Sequence, residues 1–429
     1  MIHRRITPIA FLCAGLAASQ TGAVAPLTSR EKQLNIESFE VIWSTIRDQY
    51  WDQTFGGVNW TAVHDELRPQ MDYAGTQAAA RKVMADMLHR LGKSHFAIVP
   101  GELYKDLETQ SGEGWPGMDV RVLEGRAIVT SIEENSPAAT EGVHAGWEIV
   151  TIDGSELASP LRKIEALYRG STMRELYEER SVSSKLAGGL GTKVRVGLLD
   201  GKNARVEKEL ARVKPPGELS RFGYLPTTYV WIRTRRVREG VGYVAFNYFL
   251  DPAHLMPAFG DFIQSCEHCS GLIVDLRGNP GGLGIMAMGI AGWFIREPDQ
   301  RLGTMHTREA PLKFVVNPRL PTYRGPVAIL VDETSASTSE VFAGGMKDLG
   351  RARIFGTRTA GAALPSAIDQ LPNGDAFQHA VADYISEGGQ SLEGVGVIPD
   401  EEVRLTRETL LAGRDPVLDA AIEWIHAHN

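Results

Sequence analysis

The run Ser335-Ala-Ser337-Thr-Ser-Glu340 places four hydroxyls and a carboxylate just after the apolar, β-branched stretch Val327-Ala-Ile-Leu-Val331 and the polar residues Asp332-Glu-Thr334. An apolar run that ends in a polar turn and restarts as a helix is a strand-turn-helix. It sets a serine at a helix N-terminus, where unpaired backbone N–H groups and the macrodipole favour the negative charge that develops on a substrate oxygen. That is the chemistry of a nucleophile. The spacing Ser337-x-x-Glu340 also spells a capping box, in which the serine only satisfies the helix start. A second loop, Gly278-Asn-Pro-Gly-Gly-Leu-Gly284, follows the apolar run Gly271-Leu-Ile-Val-Asp-Leu-Arg277. Missing side chains let backbone N–H groups approach a ligand, so this loop reads as oxyanion donors, as a dinucleotide cradle or as a plain glycine turn. The cradle fits poorly, because five residues separate Leu276 from the start of Gly282-x-Gly284-x-x-Ala287, which should begin at the strand end.

A serine nucleophile needs a base. Val83, Met84, Met87, Leu88 and Leu91 mark one face of a helix that Gly92 is placed to end, and Phe96-Ala-Ile-Val99 then reads as a strand. Lys93, Ser94 and His95 therefore occupy a tight turn between packed elements, a rigid place from which an imidazole can act. Adjacent residues of extended chain point apart, so a contact between Ser94 and His95 requires a particular turn shape. Cys266-Glu-His-Cys269 is at most half a metal site and reads as a structural or incidental pair, able to close a short disulfide in an oxidising compartment.

The elements that must carry these residues divide the chain. Residues 1–25 read as a signal peptide: His3, Arg4 and Arg5 precede the apolar run Ile6 to Ala18, and small residues follow. Residues 26–103 form a helical segment with spaced aromatics, residues 104–214 change to short strands and turns with a helical insertion from Leu161 to Leu186, and residues 215–429 alternate buried strands with helices. The expected fold class is α/β, as an α+β multidomain chain whose C-terminal core covers its strands with helices. A net charge of -8 without basic runs excludes a nucleic-acid surface and leaves small or peptide-like partners.

Residues 104–214 resemble a PDZ domain through Arg126-Ala-Ile-Val-Thr-Ser-Ile132, Asn135-Ser-Pro-Ala-Ala139 and Gly146-Trp-Glu-Ile-Val-Thr-Ile-Asp-Gly154. Such domains add a peptide terminus to a sheet edge, and by position the carboxylate-holding loop contains Gly117, Met118 and Asp119. Across the chain, Asp275-Leu-Arg-Gly-Asn-Pro-Gly-Gly282, Ser335-Ala-Ser-Thr-Ser-Glu340, Gly356-Thr-Arg-Thr-Ala-Gly361, Leu371-Pro-Asn-Gly374, Gly394-Val-Gly-Val-Ile-Pro-Asp400 and Gly413-Arg-Asp-Pro-Val-Leu-Asp419 resemble landmarks of the C-terminal processing (tail-specific) serine proteases. The resemblance implies a crotonase-like ββα core and Ser337 as nucleophile, in preference to Ser335 or Ser339.

Many members of that family use a lysine that follows Gly-x-x-Thr-x-Gly, and here the position holds Ala362. Lys347 lies ten residues along the same helix, about 15 Å from Ser337 at 1.5 Å per residue. Lys93 would need a strongly depressed pKa. The chain instead resembles the tricorn-like branch, in which a Ser-His pair and a late glutamate serve. That resemblance implies His95 as base, Ser94 to orient it and Glu393 to polarise Ser94, with the Thr338 N–H and one from Gly281 or Gly282 as oxyanion donors. The expectation is an exported serine endopeptidase, periplasmic or secreted, acting on protein or peptide substrates through an acyl-enzyme without metal or cofactor. The alternatives are a non-hydrolytic PDZ-bearing scaffold that binds peptides or other ligands and, more weakly, a hydrolase of other acyl compounds.

Overall fold

The computed structural model describes residues 10–12, 26–101, 114–221, 223 and 227–429. The rest of the expected signal segment, Cys13 included, and the boundary expected at 103/104 lie outside the described residues.

The N-terminal helices Ser29–Gln49, Trp60–Tyr73 and Gln77–His89 start on Thr28, Asn59 and Thr76, whose side chains each accept a first-turn N–H. Their apolar stripes converge: Phe39, Ile42, Ile46, Trp60, Leu67, Met84, Met87 and Leu88 are all buried in one cluster. Gly92 takes φ +60, the left-handed step that turns the chain out of the last helix, and Ala97–Val99 follows as a strand.

That strand pairs antiparallel with Ala376–Ala380, which pairs in turn with Ser366–Gln370. The helices are clamped to the same hairpin by Asp375. This buried carboxylate accepts from Arg81 Nε and Nη2 at 2.9 and 2.7 Å and from the Gly101 N–H at 2.8 Å. Asn373 beside it bonds Asn35 and Ser38 of the first helix. The segment before the strand, with Ser94 and His95, is thereby fixed relative to the C-terminal core.

Residues 114–213 build an antiparallel sheet in the order Met118–Leu123, Arg126–Ile132, Glu148–Ile152, Lys193–Leu199 and Arg205–Ala211. The expected insertion is two helices, Ala158–Leu167 and Arg174–Leu186. Val182 and Leu186 of the second enter the core of this unit beside Val120 and Val122 of the edge strand.

The C-terminal core carries a six-stranded sheet ordered Ile232–Arg236, Gly242–Phe246, Leu272–Asp275, Val327–Val331, Arg353–Gly356 and Glu401–Glu402. All neighbours after the first pair run parallel. Both faces are covered, which explains the continuous apolar runs. Val244, Val274 and Ile329 pack under Phe259, Ile263 and Val341 on one side, while Tyr243, Ile273 and Leu330 pack under Val417, Ala421 and Ile425 of the last helix, Pro416–Ala427, on the other. Cys266 and Cys269 are joined by a disulfide at the end of helix Pro252–Ser265. Residues Ala10–Leu12 lie as a short strand antiparallel to Gly281–Leu283, with Ala10 also opposite Ser366.

Removing the clamp leaves the partly buried Arg81 guanidinium and the Gly101 N–H without this acceptor, which costs about 2 to 3 kcal/mol. Asp375→Ala is expected to lower unfolding free energy by that amount in urea titrations monitored by tryptophan fluorescence.

Candidate active site

Three loops that follow adjacent parallel strands meet at the carboxyl ends of the sheet, the place where open α/β sheets present their chemistry. After Leu272–Asp275, the fully buried Asn279 organises the glycine loop. Its amide donates to the Phe246 carbonyl, its Oδ1 accepts the Gly281 N–H at 2.9 Å, and its carbonyl accepts from the Ala336 N–H and the Ser339 hydroxyl. After Val327–Val331, Asp332 Oδ1 accepts the N–H groups of Gly278, Thr334 and Ser335, and its Oδ2 accepts from Arg121 Nε at 2.8 Å. Burial alone would raise this carboxyl, but Arg121 and the donors hold it below the usual carboxylate range.

After Arg353–Gly356, the third loop is gathered by Glu340, which is fully buried. Glu340 Oε1 accepts from the Thr359 hydroxyl at 2.5 Å and the Gly361 N–H at 2.8 Å; Oε2 accepts from the Ser337 and Ala362 N–H groups, both at 2.9 Å. Burial pushes its pKa up to about 7, against the pull of these donors.

Ser337 stands immediately before helix Thr338–Asp348 with φ 61° and ψ −117°, a conformation that L-residues hold only when their surroundings enforce it. Glu340 bonds its N–H as a capping glutamate would. Its Oγ lies 3.0 Å from His95 Nε2. His95 also has a left-handed backbone, φ 62°. That is the turn shape an adjacent Ser-His contact requires, and Ser94 Oγ sits 2.7 Å from His95 Nδ1. Ser94 Oγ donates to Glu393 Oε2 at 2.8 Å, the Ser94 N–H donates to Oε1 at 2.8 Å, and the Ala363 N–H donates to Oε2 at 3.2 Å.

One proton arrangement satisfies the whole chain: Ser337 O–H to Nε2, Nδ1–H to Ser94 Oγ, and Ser94 O–H to Glu393. Such a chain can take a proton from the serine and stabilise the imidazolium that results. Burial, and secondly the charge of Arg180, depress the His95 pKa from 6.5 to about 3, so the resting imidazole is neutral. Burial raises the Glu393 carboxyl, while the Ser94 and Ala363 donors offset part of that rise.

The Thr338 N–H is the orphan donor of the first helical residue. Gly281 and Gly282 differ in what their N–H groups do. The Gly281 N–H is held by Asn279, and a Cβ there would lie 2.8 Å from the Thr338 nitrogen. Gly281 O and Leu283 N both bond Phe249, so by strand alternation the Gly282 N–H faces the opposite side, toward residues 10–12.

The lysines are placed elsewhere. Lys347 pairs with Asp400 at 3.0 Å, Lys93 is exposed, and Ala362 is buried against Leu176, Ala336 and Ala360. Of the carboxylate loop expected in the PDZ-like unit, Gly117 and Met118 are buried and only Asp119 is exposed, its carboxylate accepting from the Ser131 hydroxyl. Sequence reasoning missed Glu340 as the collector of the third loop, although its capping-box spacing marked it, and missed Asp332 and Arg121, which meet across 211 residues without a local signal.

Residues 240–403 match the profile of peptidase family S41, and residues 36–89 match the tricorn protease C1 domain. The chain is a serine peptidase. It is 25% identical over 402 residues to carboxyl-terminal-processing peptidase 3, chloroplastic, of Arabidopsis thaliana, spanning 91% of this chain and 74% of that protein. Tricorn protease homolog 1 of Streptomyces coelicolor is 27% identical over 413 residues, 90% of this chain and 34% of that protein. Among solved structures, the photosystem II D1 C-terminal processing protease gives a TM-score of 0.57 at 23% identity, covering 92% of this chain and 97% of that one. Mature CPAF gives 0.64 at 14% identity, covering 93% and 96%. At these identities the structural likeness is one of fold, and it agrees with the α/β multidomain class.

The buried neutral His95 ties the stability of the peptidase to pH. Its native pKa lies below the unfolded value, so between pH 6.5 and about 3 the unfolded chain holds a proton that the native state lacks. Stability is complete above that window and falls as pH drops through it. His95→Gln should flatten the slope of unfolding free energy between pH 6 and pH 4 by about 1.4 kcal/mol per pH unit, read from urea unfolding in matched buffers.

Proposed function

We propose that the protein is an exported serine endopeptidase in which Ser337 is the nucleophile and His95 the general base. The observation that carries this reading is the unbroken hydrogen-bonded chain Ser337–His95–Ser94–Glu393, assembled from three separate stretches of sequence. His95 takes the Ser337 proton as Oγ attacks the scissile carbonyl, Ser94 and Glu393 support the imidazolium, and the same proton passes to the leaving amine. The N–H groups of Thr338 and Gly282 receive the oxyanion, since the Gly281 N–H is engaged by Asn279. Water then repeats the sequence on the acyl-enzyme.

A peptide substrate suits the slot beside Ser337. Residues Ala10–Leu12 occupy it as an antiparallel strand against Gly281–Leu283, so the slot accepts extended backbone by strand addition. The edge strand Met118–Leu123 of the PDZ-like unit offers a second place of the same kind for a substrate terminus. Export fits the charged and apolar character of residues 1–25 and the Cys266–Cys269 disulfide.

A fluorophosphonate probe on the purified protein tests the assignment. Ser337→Ala is expected to abolish labelling, His95→Ala to slow it by roughly a thousandfold or more, and Glu393→Gln to slow it by roughly ten- to a hundredfold with an unchanged melting temperature. Full labelling of Ser337→Ala would remove the proposed nucleophile, and an unaltered rate in Glu393→Gln would reduce Glu393 to a structural acceptor.

A further inference from the structure

The helix Arg174–Leu186 belongs to the β-rich unit, yet part of it packs on the catalytic core. Leu176, 2% exposed, and Met173 cover Ala336, Ala360 and Ala362, which flank Ser337 and form the third loop. Thr172 lies so close to Gly361 that a Cβ on that glycine would come within 2.5 Å of its hydroxyl. This helix is therefore a wall of the site.

Arg180 follows Leu176 by four residues and projects from the same face one turn further on. It is partly buried and makes no hydrogen bond or ion pair among the described residues. Glu179, the carboxylate beside it in sequence, is bonded by the Ser183 hydroxyl and lies in the field of Arg121 and, more weakly, of Arg180 itself, without a hydrogen bond to either guanidinium. With its helix docked beside Ser337, the charge of Arg180 acts on His95, where it disfavours the imidazolium. A guanidinium with unused donors beside the base is a fork for a carboxylate. In acyl transfer the imidazole that deprotonates the serine hands the proton to the leaving amine, so a group beside it lies on the leaving side of the scissile bond.

We infer that Arg180 is a specificity-determining residue that receives a substrate carboxylate on the leaving side of the cut, supplied by the chain terminus or by an acidic side chain within a few residues of the scissile bond. The assignment rests on the Ser337–His95 reading. It also gives the wall helix a purpose: Leu176 and Met173 dock it on the core, and Arg180 meets the departing fragment.

The test uses the full-length protein and fluorogenic peptides built around a cut found with an unbiased peptide mixture. One pair of peptides ends two residues after the cut, as a free acid or as an amide. A second pair is amidated and carries Glu or Gln at those two positions. Wild type should favour the charged member of at least one pair by about 10- to 100-fold in kcat/KM, and which pair responds identifies the source of the carboxylate. Arg180→Gln should bring that ratio near one, and Arg180→Glu should favour a third peptide bearing Lys there. Each ratio is read within one variant, so a general loss of turnover cancels. Fluorophosphonate labelling of wild type, read in parallel, separates the two readings. An unlabelled Ser337 overturns the nucleophile, whereas a labelled Ser337 with equal rates in both pairs, or a charged preference that persists in Arg180→Gln, overturns Arg180 alone.

Discussion

The contact between His95 Nε2 and Ser337 Oγ joins residues 242 positions apart, and the rest of the architecture can be understood as what holds it. Neither residue is in relaxed backbone: both have φ near +60°, a state costing on the order of 1 to 3 kcal/mol for a non-glycine residue unless its surroundings enforce it. On the serine side the enforcement is Glu340, whose carboxylate takes the Ser337 N–H, and Asn279, whose carbonyl takes the N–H of Ala336. On the histidine side it is Glu393, which bonds both the N–H and the hydroxyl of Ser94. Asp375 acts at longer range by tying the N-terminal helices to the hairpin that carries the next strand. The contact is short because each partner is fixed independently.

Four carboxylates at the centre of the molecule, Glu340, Asp332, Glu393 and Asp375, share one design. Each is largely withdrawn from water, and each collects donors from segments that are distant in sequence. Burial without partners would be prohibitive for any of them. With three or more donors apiece they act as cross-links between loops that contain few apolar side chains of their own. Their energies differ according to what compensates them. Asp332, faced by Arg121, stays low, while Glu340, with neutral donors only, rises toward neutrality. A carboxyl that can hold a proton near neutral pH still holds Ser337 in place, because one oxygen continues to accept in either protonation state.

The elements that a local pattern can specify were legible from the chain. The helix stripe ending at Leu91, the left-handed Gly92, the buried parallel strands and the turn before Thr338 follow from periodicity, glycine placement and capping, and the structure has them. Grouping Ser94, His95, Ser337 and Glu393 needed the family resemblance as well, since nothing local connects Leu91 to Ser391. What sequence could not give was side-chain traffic across long separations. Arg121 crosses to Asp332 over 211 residues and Leu176 packs on Ala362, and no local pattern marks either contact. The glycine ambiguity had the same origin: which of Gly281 and Gly282 points its N–H into the slot depends on the strand partner, Phe249, which no motif names.

Ala362 then takes on a physical meaning that its absence of chemistry concealed. A lysine at that position would have to place an ammonium where Leu176, Met173, Ala336 and Ala360 now form an apolar patch, and such burial would strip the charge from it. With alanine there, the wall helix closes directly on the third loop through Leu176 and Met173. Bringing the imidazole from the N-terminal segment instead of from the loop beside Ser337 has a consequence for assembly. Ser337 is held by groups of the core, whereas the His95 imidazole meets it from a helical segment docked through Asp375 and the Ala97–Val99 strand. With His95 as the base, as proposed, a chain that has folded its core before that docking holds Ser337 without its proton acceptor, and competence comes at the step that completes the tertiary structure.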